Sequence, residues 1–276
     1  EFWKDRITLN SEDPKIKTLL QYKFTNPYRL LDRGSQITYQ KVIINSNLSQ
    51  DSKEVLFRLF VHLHFNTDRF ANKLIEYDLQ LSNYNAEDFN NYLQQDKLKL
   101  FSGAYMTLPL NGDKDRVYSM CKKASIFAKA LSNSLINMES SQSLFLSLKT
   151  LPGMGDFLSS QIVYDYEWFN EDFYKQPLYA LGCGAIRGAY KLGLVGSTYE
   201  ILDTVKTIWE TNLSDYLFKG KSLAPSDLQN TLCETDKAFR ILHPEITKNN
   251  CPKANLKPYK SKGGINSFNK LFPTFW

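Results

Sequence analysis

The chain is poor in the residues that build metal centres and covalent frameworks: its 276 residues hold 4 cysteines and 3 histidines. Cys121, Cys183, Cys233 and Cys251 stand far apart with no Cys-x-x-Cys pair, which argues against a zinc ribbon or an iron–sulfur cluster and for a reduced, intracellular chain, nuclear or cytoplasmic. His62, His64 and His243 form no His-Glu-x-x-His signature, so no catalytic metal and no cofactor is expected. No apolar run reaches membrane-spanning length and no signal peptide is visible, so no membrane partner is expected. No Gly-x-x-x-x-Gly-Lys-Ser/Thr sequence occurs, which excludes a P-loop kinase centre in these residues.

What is present is the material of a packed core. Apolar residues make up 42% and aromatics 14% of the chain, and the net charge is +5, a mild excess that suits a polyanion without requiring one. Apolar residues recur at helical spacing over 51–63, where Val55, Leu56, Leu59, Phe60 and Leu63 form a stripe, and again over 85–100, 115–137 and 226–242. Phe65-Asn66-Thr67 reads as the cap of a helix running through Leu74. Residues 1–247 are read as one two-lobed helical domain, with one lobe at about 113–215 and the N- and C-terminal helices forming the other. Residues 248–276 form a basic tail, with Lys248, Lys253, Lys257, Lys260, Lys262 and Lys270 and no acid.

Leu151-Pro152-Gly153-Met154-Gly155 lies between two helical patterns and reads as the turn of a helix-hairpin-helix. Gly153 and Gly155 lack a Cβ, so a phosphate can approach the backbone around Met154, and the following helix offers its positive end there. An ordinary helix connection is the alternative. Gly182, Gly184 and Arg187, in the stretch ending Lys191-Leu192-Gly193-Leu194, read either as a second anion site or as glycines that let helices pack closely.

The densest polar cluster is at 24–36. Thr25 or Asn26 is expected to cap a helix with Pro27 in its first turn, and Arg29, Asp32, Arg33 and Gln36 then fall at spacings of three and four on one face. Arginines oriented by a carboxylate form a fork suited to phosphate oxygens.

The order of the hairpin, a helix and a segment ending in Lys-Leu-Gly resembles the helix-hairpin-helix DNA glycosylases. In those enzymes a catalytic aspartate precedes the final Arg/Lys-Leu-Gly. The corresponding position here is Gly182, which argues against base excision by the usual route. Five ordered blocks, at 24–36, 103–106, 151–158, 182–188 and 232–237, are similar to the α-glutamyl/putrescinyl thymine pyrophosphorylase family, which shares its helical domain with the 5-hydroxymethyluracil DNA kinases. The resemblance implies an all-α, two-lobed, glycosylase-like fold. It further implies action on phosphorylated 5-hydroxymethyluracil in DNA, with an amine donor such as an amino acid or polyamine displacing pyrophosphate.

For that chemistry Arg29 and Arg33 would neutralise the leaving group, with Asp32 and Gln36 beside them, and Asp165, Glu234 or Asp236 would take a proton from the amine. Gly153, Met154, Gly155, Gly182, Gly184, Arg187 and Lys237 would contact DNA. Glu234 and Lys237, three apart, also read as a salt bridge. Tyr28 and Tyr105, and Trp168, are candidates to stack on a flipped or single-stranded base. A DNA-binding module without catalysis and a glycosylase with a relocated carboxylate are the alternative functions.

Overall fold

The computed structural model describes residues 12–95, 100–103, 105, 107–247 and 270–276. Among these, regular structure is helical and no strand occurs. In chain order the helices are α1 (Pro14–Leu20), α2 (Arg33–Ile37), α3 (Ser52–Phe65), α4 (Asp68–Glu76), α5 (Ala86–Gln94), α6 (Arg116–Ser132), α7 (Ser141–Lys149), α8 (Asp156–Tyr166), α9 (Glu171–Lys175), α10 (Cys183–Lys191), α11 (Thr198–Asn212), α12 (Pro225–Leu242) and α13 (Pro244–Thr247). No helix of the described residues is long and apolar enough to cross a membrane. Cys251 and the five tail lysines from Lys248 to Lys262 lie outside the described residues, as do Ala104 and Met106.

The described chain divides into two compact units. One holds residues 30–178 and 270–276, the other residues 12–29 and 179–247.

The larger unit is built around α3. Asp51 caps it by accepting from the backbone N–H groups of Lys53 and Glu54, and Asn66 ends it with a left-handed φ of 49° that an asparagine tolerates. Every residue of α3 from Val55 to Phe65 is buried, so the helix is apolar-walled on all sides and not on one stripe. Phe60 stacks on Phe127 of α6 at 4.1 Å and Phe65 on Phe70 of α4 at 3.9 Å. The same side-chain logic starts the next helices: Thr67 caps α4, Asn85 caps α5, Asp115 caps α6, Ser140 caps α7 and Asn170 caps α9.

Arg58 is the polar exception inside this core. Its guanidinium donates to the carbonyls of Val42 and Ser49 at 3.2 and 2.7 Å, which fastens the π-helical turn Thr38–Ile43 and the loop after it to α3.

In the smaller unit α10 lies against α12 with almost no gap. A Cβ on Gly188 would stand 1.9 Å from the carbonyl oxygen of Leu232, and one on Gly184 3.0 Å from Cys233 Sγ. Gly184 and Gly188 are thus positions where the two helices pack closely.

Candidate functional site

The five sequence blocks sort into the two units. Those at 103–106 and 151–158 meet in the larger one; the start of the first block, 182–188 and 232–237 meet in the smaller.

In the larger unit α7 leads into the turn at 151–155, and α8 follows. Leu151 and Met154 point into the core and anchor the turn, while Pro152, Gly153, Gly155, Asp156 and Phe157 are exposed. Met154 is therefore the buried peg of the turn, and what it presents outward at Gly153 and Gly155 is backbone. Gly153 has φ +74°, the left-handed region where glycine is favoured. Gly155 occupies the N-cap of α8 and provides no side-chain acceptor, so the first N–H groups of that helix are left for another acceptor. The acid in this first turn, Asp156, is bridged by Lys149 at 2.5 Å.

The loop at 100–110 runs beside this turn. Ser102 donates from its backbone to the Phe65 carbonyl at 2.8 Å and Thr107 Oγ1 to the His64 carbonyl at 3.1 Å. Half-buried Tyr105 sets its ring edge-on to Phe157, centroids 5.7 Å apart, and its hydroxyl 3.3 Å from Gln161 Oε1. Lys123 of α6 donates to the Leu108 carbonyl at 2.6 Å. The sequence reading missed Lys123, because a lysine inside a long helical pattern looks like any solvated cation. Asp165 is buried toward the end of α8, in the same unit.

In the smaller unit Asp236, only 1% exposed, is a hub for three cations. Lys191 Nζ is 2.6 Å from Oδ1, and Arg187 and Arg240 each stand 3.2 Å from Oδ2. Burial by itself would raise the Asp236 pKa. The hydrogen bonds from Lys191 and Arg187, with the charge of Arg240, outweigh burial and hold the carboxyl below its usual range.

The next residue, Lys237, bridges Glu234 at 2.9 Å, bonds the Lys23 carbonyl and lies over the Phe24 ring at 4.5 Å. A groove of about 180 Å³ opens here, lined by Phe24, Asn26, Pro27, Thr231, Glu234 and Thr235. Gly182, the N-cap of α10, likewise provides no capping side chain.

The face at 29–36 differs from the single helix expected. Thr25 and Asn26 do not cap a helix at Pro27: Asn230 donates to Thr25 Oγ1 at 3.0 Å and to the Asn26 carbonyl at 2.9 Å. Arg29–Leu31 is a 3-10 turn, Asp32 is extended, and α2 begins only at Arg33. Arg29 belongs to the smaller unit, where its backbone N–H donates to Asp227 Oδ1 at 2.6 Å. Asp32, Arg33 and Gln36 belong to the larger one.

Gln36 is 1% exposed and its amide is committed. It donates to the carbonyls of Leu30 and Leu271 and accepts from the Leu271 N–H and from Gln40. Tyr28 is buried too, accepting from the Phe218 N–H at 3.1 Å and donating to the Lys221 carbonyl. Burial raises its pKa. Trp168 is buried, which leaves Tyr105 as the more accessible of the three proposed stacking rings. Among the described residues no group of three or more His, Cys, Asp or Glu side chains is disposed to hold a metal ion.

A family model described as 5-hmdU DNA kinase, helical domain, matches residues 10–248. The chain belongs to that family. No curated protein and no solved structure matches.

Proposed function

We propose that this member of the 5-hmdU DNA kinase helical-domain family is a DNA base-modifying protein. In this reading it grips the sugar–phosphate backbone at the turn 151–155 and works on a thymine-derived base bearing a 5-hydroxymethyl group or its phosphorylated form. The family's description names the nucleoside. The observation that carries the DNA contact is the turn: exposed Gly153 and Gly155, with an uncapped helix start behind them. No P-loop lies in the sequence, so the chemistry assigned to this chain is not phosphoryl transfer by that machinery.

In the finer form of the proposal an amine, from an amino acid or polyamine, attacks the methylene carbon of a base whose 5-hydroxymethyl oxygen carries a diphosphate. The carbon–nitrogen bond forms as the carbon–oxygen bond breaks, pyrophosphate leaves with the electron pair, and the nitrogen gives up a proton. Arg33, with Asp32 beside it in the chain of the larger unit, is a candidate to meet the leaving charge, and Arg29 of the smaller unit is a separate one. Asp236, held by three cations, is a poor proton acceptor. Glu234, on the groove and bridged by Lys237 alone of the cations described, and Asp165 are the candidates that remain for that role. Tyr105 is the ring placed to stack on an unpaired base.

One observation favours a second reading, a module that holds DNA without transforming it. Gln36, Asp236 and Tyr28 are committed to internal bonds. The two readings separate in one experiment: DNA containing 5-hydroxymethyluracil as its diphosphate ester is incubated with the protein and candidate amines, and the released nucleosides are weighed by mass spectrometry. A new amine adduct, lost in Arg33→Ala, supports transfer. Unchanged nucleosides with salt-dependent binding leave the module, and abasic sites would indicate a glycosylase instead.

A further inference from the structure

α6 carries two cations seven residues apart on one side, Arg116 and Lys123. Lys123 is 2% exposed, and its hydrogen bond is to the Leu108 carbonyl. Among the described residues no carboxylate pairs with it. The neighbouring charge that acts on it is Arg116, of its own sign, and after burial this lowers its pKa further. Arg116 donates to Thr107 Oγ1 at 3.2 Å and lies over the Phe101 ring at 3.9 Å, but its buried Nε has no partner. His64, which feels both cations, keeps Nε2 without a partner as well. A folded chain seldom buries an ammonium with no counter-charge, since desolvation is then uncompensated.

The position of this ammonium shows where the missing charge belongs. It stands 2.6 Å from the point a Cβ would take on Gly153, directly behind the exposed turn that leads into the uncapped start of α8. A side chain at 153 would push the cation away; glycine lets its field through. The one acid in the first turn of α8, Asp156, is already matched by Lys149.

We propose that Lys123 is the buried cation of a single-phosphate seat at 151–155. The anion that neutralises it is a DNA backbone phosphate lying on the outer side of the turn, with the N–H groups at the start of α8 as hydrogen-bond donors. This rests on the hairpin reading of DNA binding given above, and it assigns a role to a residue outside the turn. Lys123 is a positioning residue: it acts through Gly153 and touches no substrate.

The test measures binding of the full chain to a fluorescent duplex over a range of salt, together with thermal unfolding, for the wild type and for Lys123→Met, Lys123→Gln and Gly155→Asp. Losing the charge should weaken binding about tenfold in both Lys123 variants, with a melting temperature equal to or above that of the wild type. Glutamine keeps a donor for Leu108 and removes only the charge. It therefore decides the matter if methionine impairs folding: a merely structural Lys123 predicts that glutamine restores affinity, which would overturn the proposal. If Gly155→Asp weakens binding and both Lys123 variants bind like the wild type, the hairpin reading stands and the role of Lys123 fails. If none of the three weakens binding, the hairpin reading itself fails. Inorganic phosphate, titrated as a competitor, separates a general anion seat from one that needs the DNA strand.

Discussion

Gly188 and Leu232 touch through their backbones: no side chain fits between α10 and α12, because a Cβ on Gly188 would fall 1.9 Å from the Leu232 carbonyl oxygen. Gly188→Ala should therefore force the two helices apart. The expected cost is about 1–3 kcal/mol of unfolding free energy, the usual range for overpacking, read as a lower midpoint in urea. A midpoint unchanged within error would contradict this packing.

Asp236 supplies the second lock between the same helices. Asp236→Ala leaves Arg187, Lys191 and Arg240 without their shared acceptor and should destabilise by about 3–5 kcal/mol, as removal of one member of a buried ion pair does. The pH sign follows from the depressed folded pKa. The stabilisation is complete above the unfolded aspartate value of about 3.9 and is lost as pH falls below it. Acid unfolding of the wild type below about pH 4 should thus include a component that Asp236→Asn lacks.

The buried histidines act at higher pH. Burial pushes His62 and His64 down to about 4 from 6.5, so the unfolded chain binds their protons first as pH drops. For a base buried neutral, stability is full above the unfolded value and declines as pH falls toward the folded one. Between pH 7.5 and 5 each should remove roughly 2 kcal/mol. Urea unfolding at both pH values would show it, and His64→Leu should flatten the difference by about half, since the two histidines contribute alike.

The two hairpin glycines should respond in opposite ways. Gly153→Ala meets a strained φ of +74° and Lys123 Nζ at 2.6 Å, whereas Gly155 has open space where a Cβ would be built. The first is expected to cost about 1 kcal/mol or more in stability. Gly155→Asp adds a capping carboxylate worth a few tenths of a kcal/mol while placing negative charge where a phosphate would sit. Higher thermal stability with weaker DNA binding is the expected pair of results for Gly155→Asp.

Helix starts were legible because their chemistry is local. Asp51, Thr67 and Asn85 each cap within three residues of their own position, and the turn at 151–155 announced itself by its glycines. The face at 29–36 was not legible. Its spacing is that of a helix, but Asp227 and Asn230, some 200 residues onward, capture the backbone of Arg29 and of Asn26 and hold the chain out of helical form. Asp236 read as a proton acceptor because the cations that neutralise it include two from another helix, more than 40 residues earlier. Lys123 was invisible for a related reason: only the packed structure shows that the ammonium is buried and what lies in front of it.

The grip of Gln36 on Leu271 also orders events in time. The two partners stand 235 positions apart in the chain, and helices α10 to α13 of the smaller unit are made in that interval. The larger unit is thus begun before helices α10 to α13 are made, yet waits for the ribosome to deliver residues 270–276. Until then the Gln36 amide has only Leu30 and Gln40 as its bonded neighbours, and water must stand in for the segment to come. A chain released before residue 270 would leave that amide wet for good.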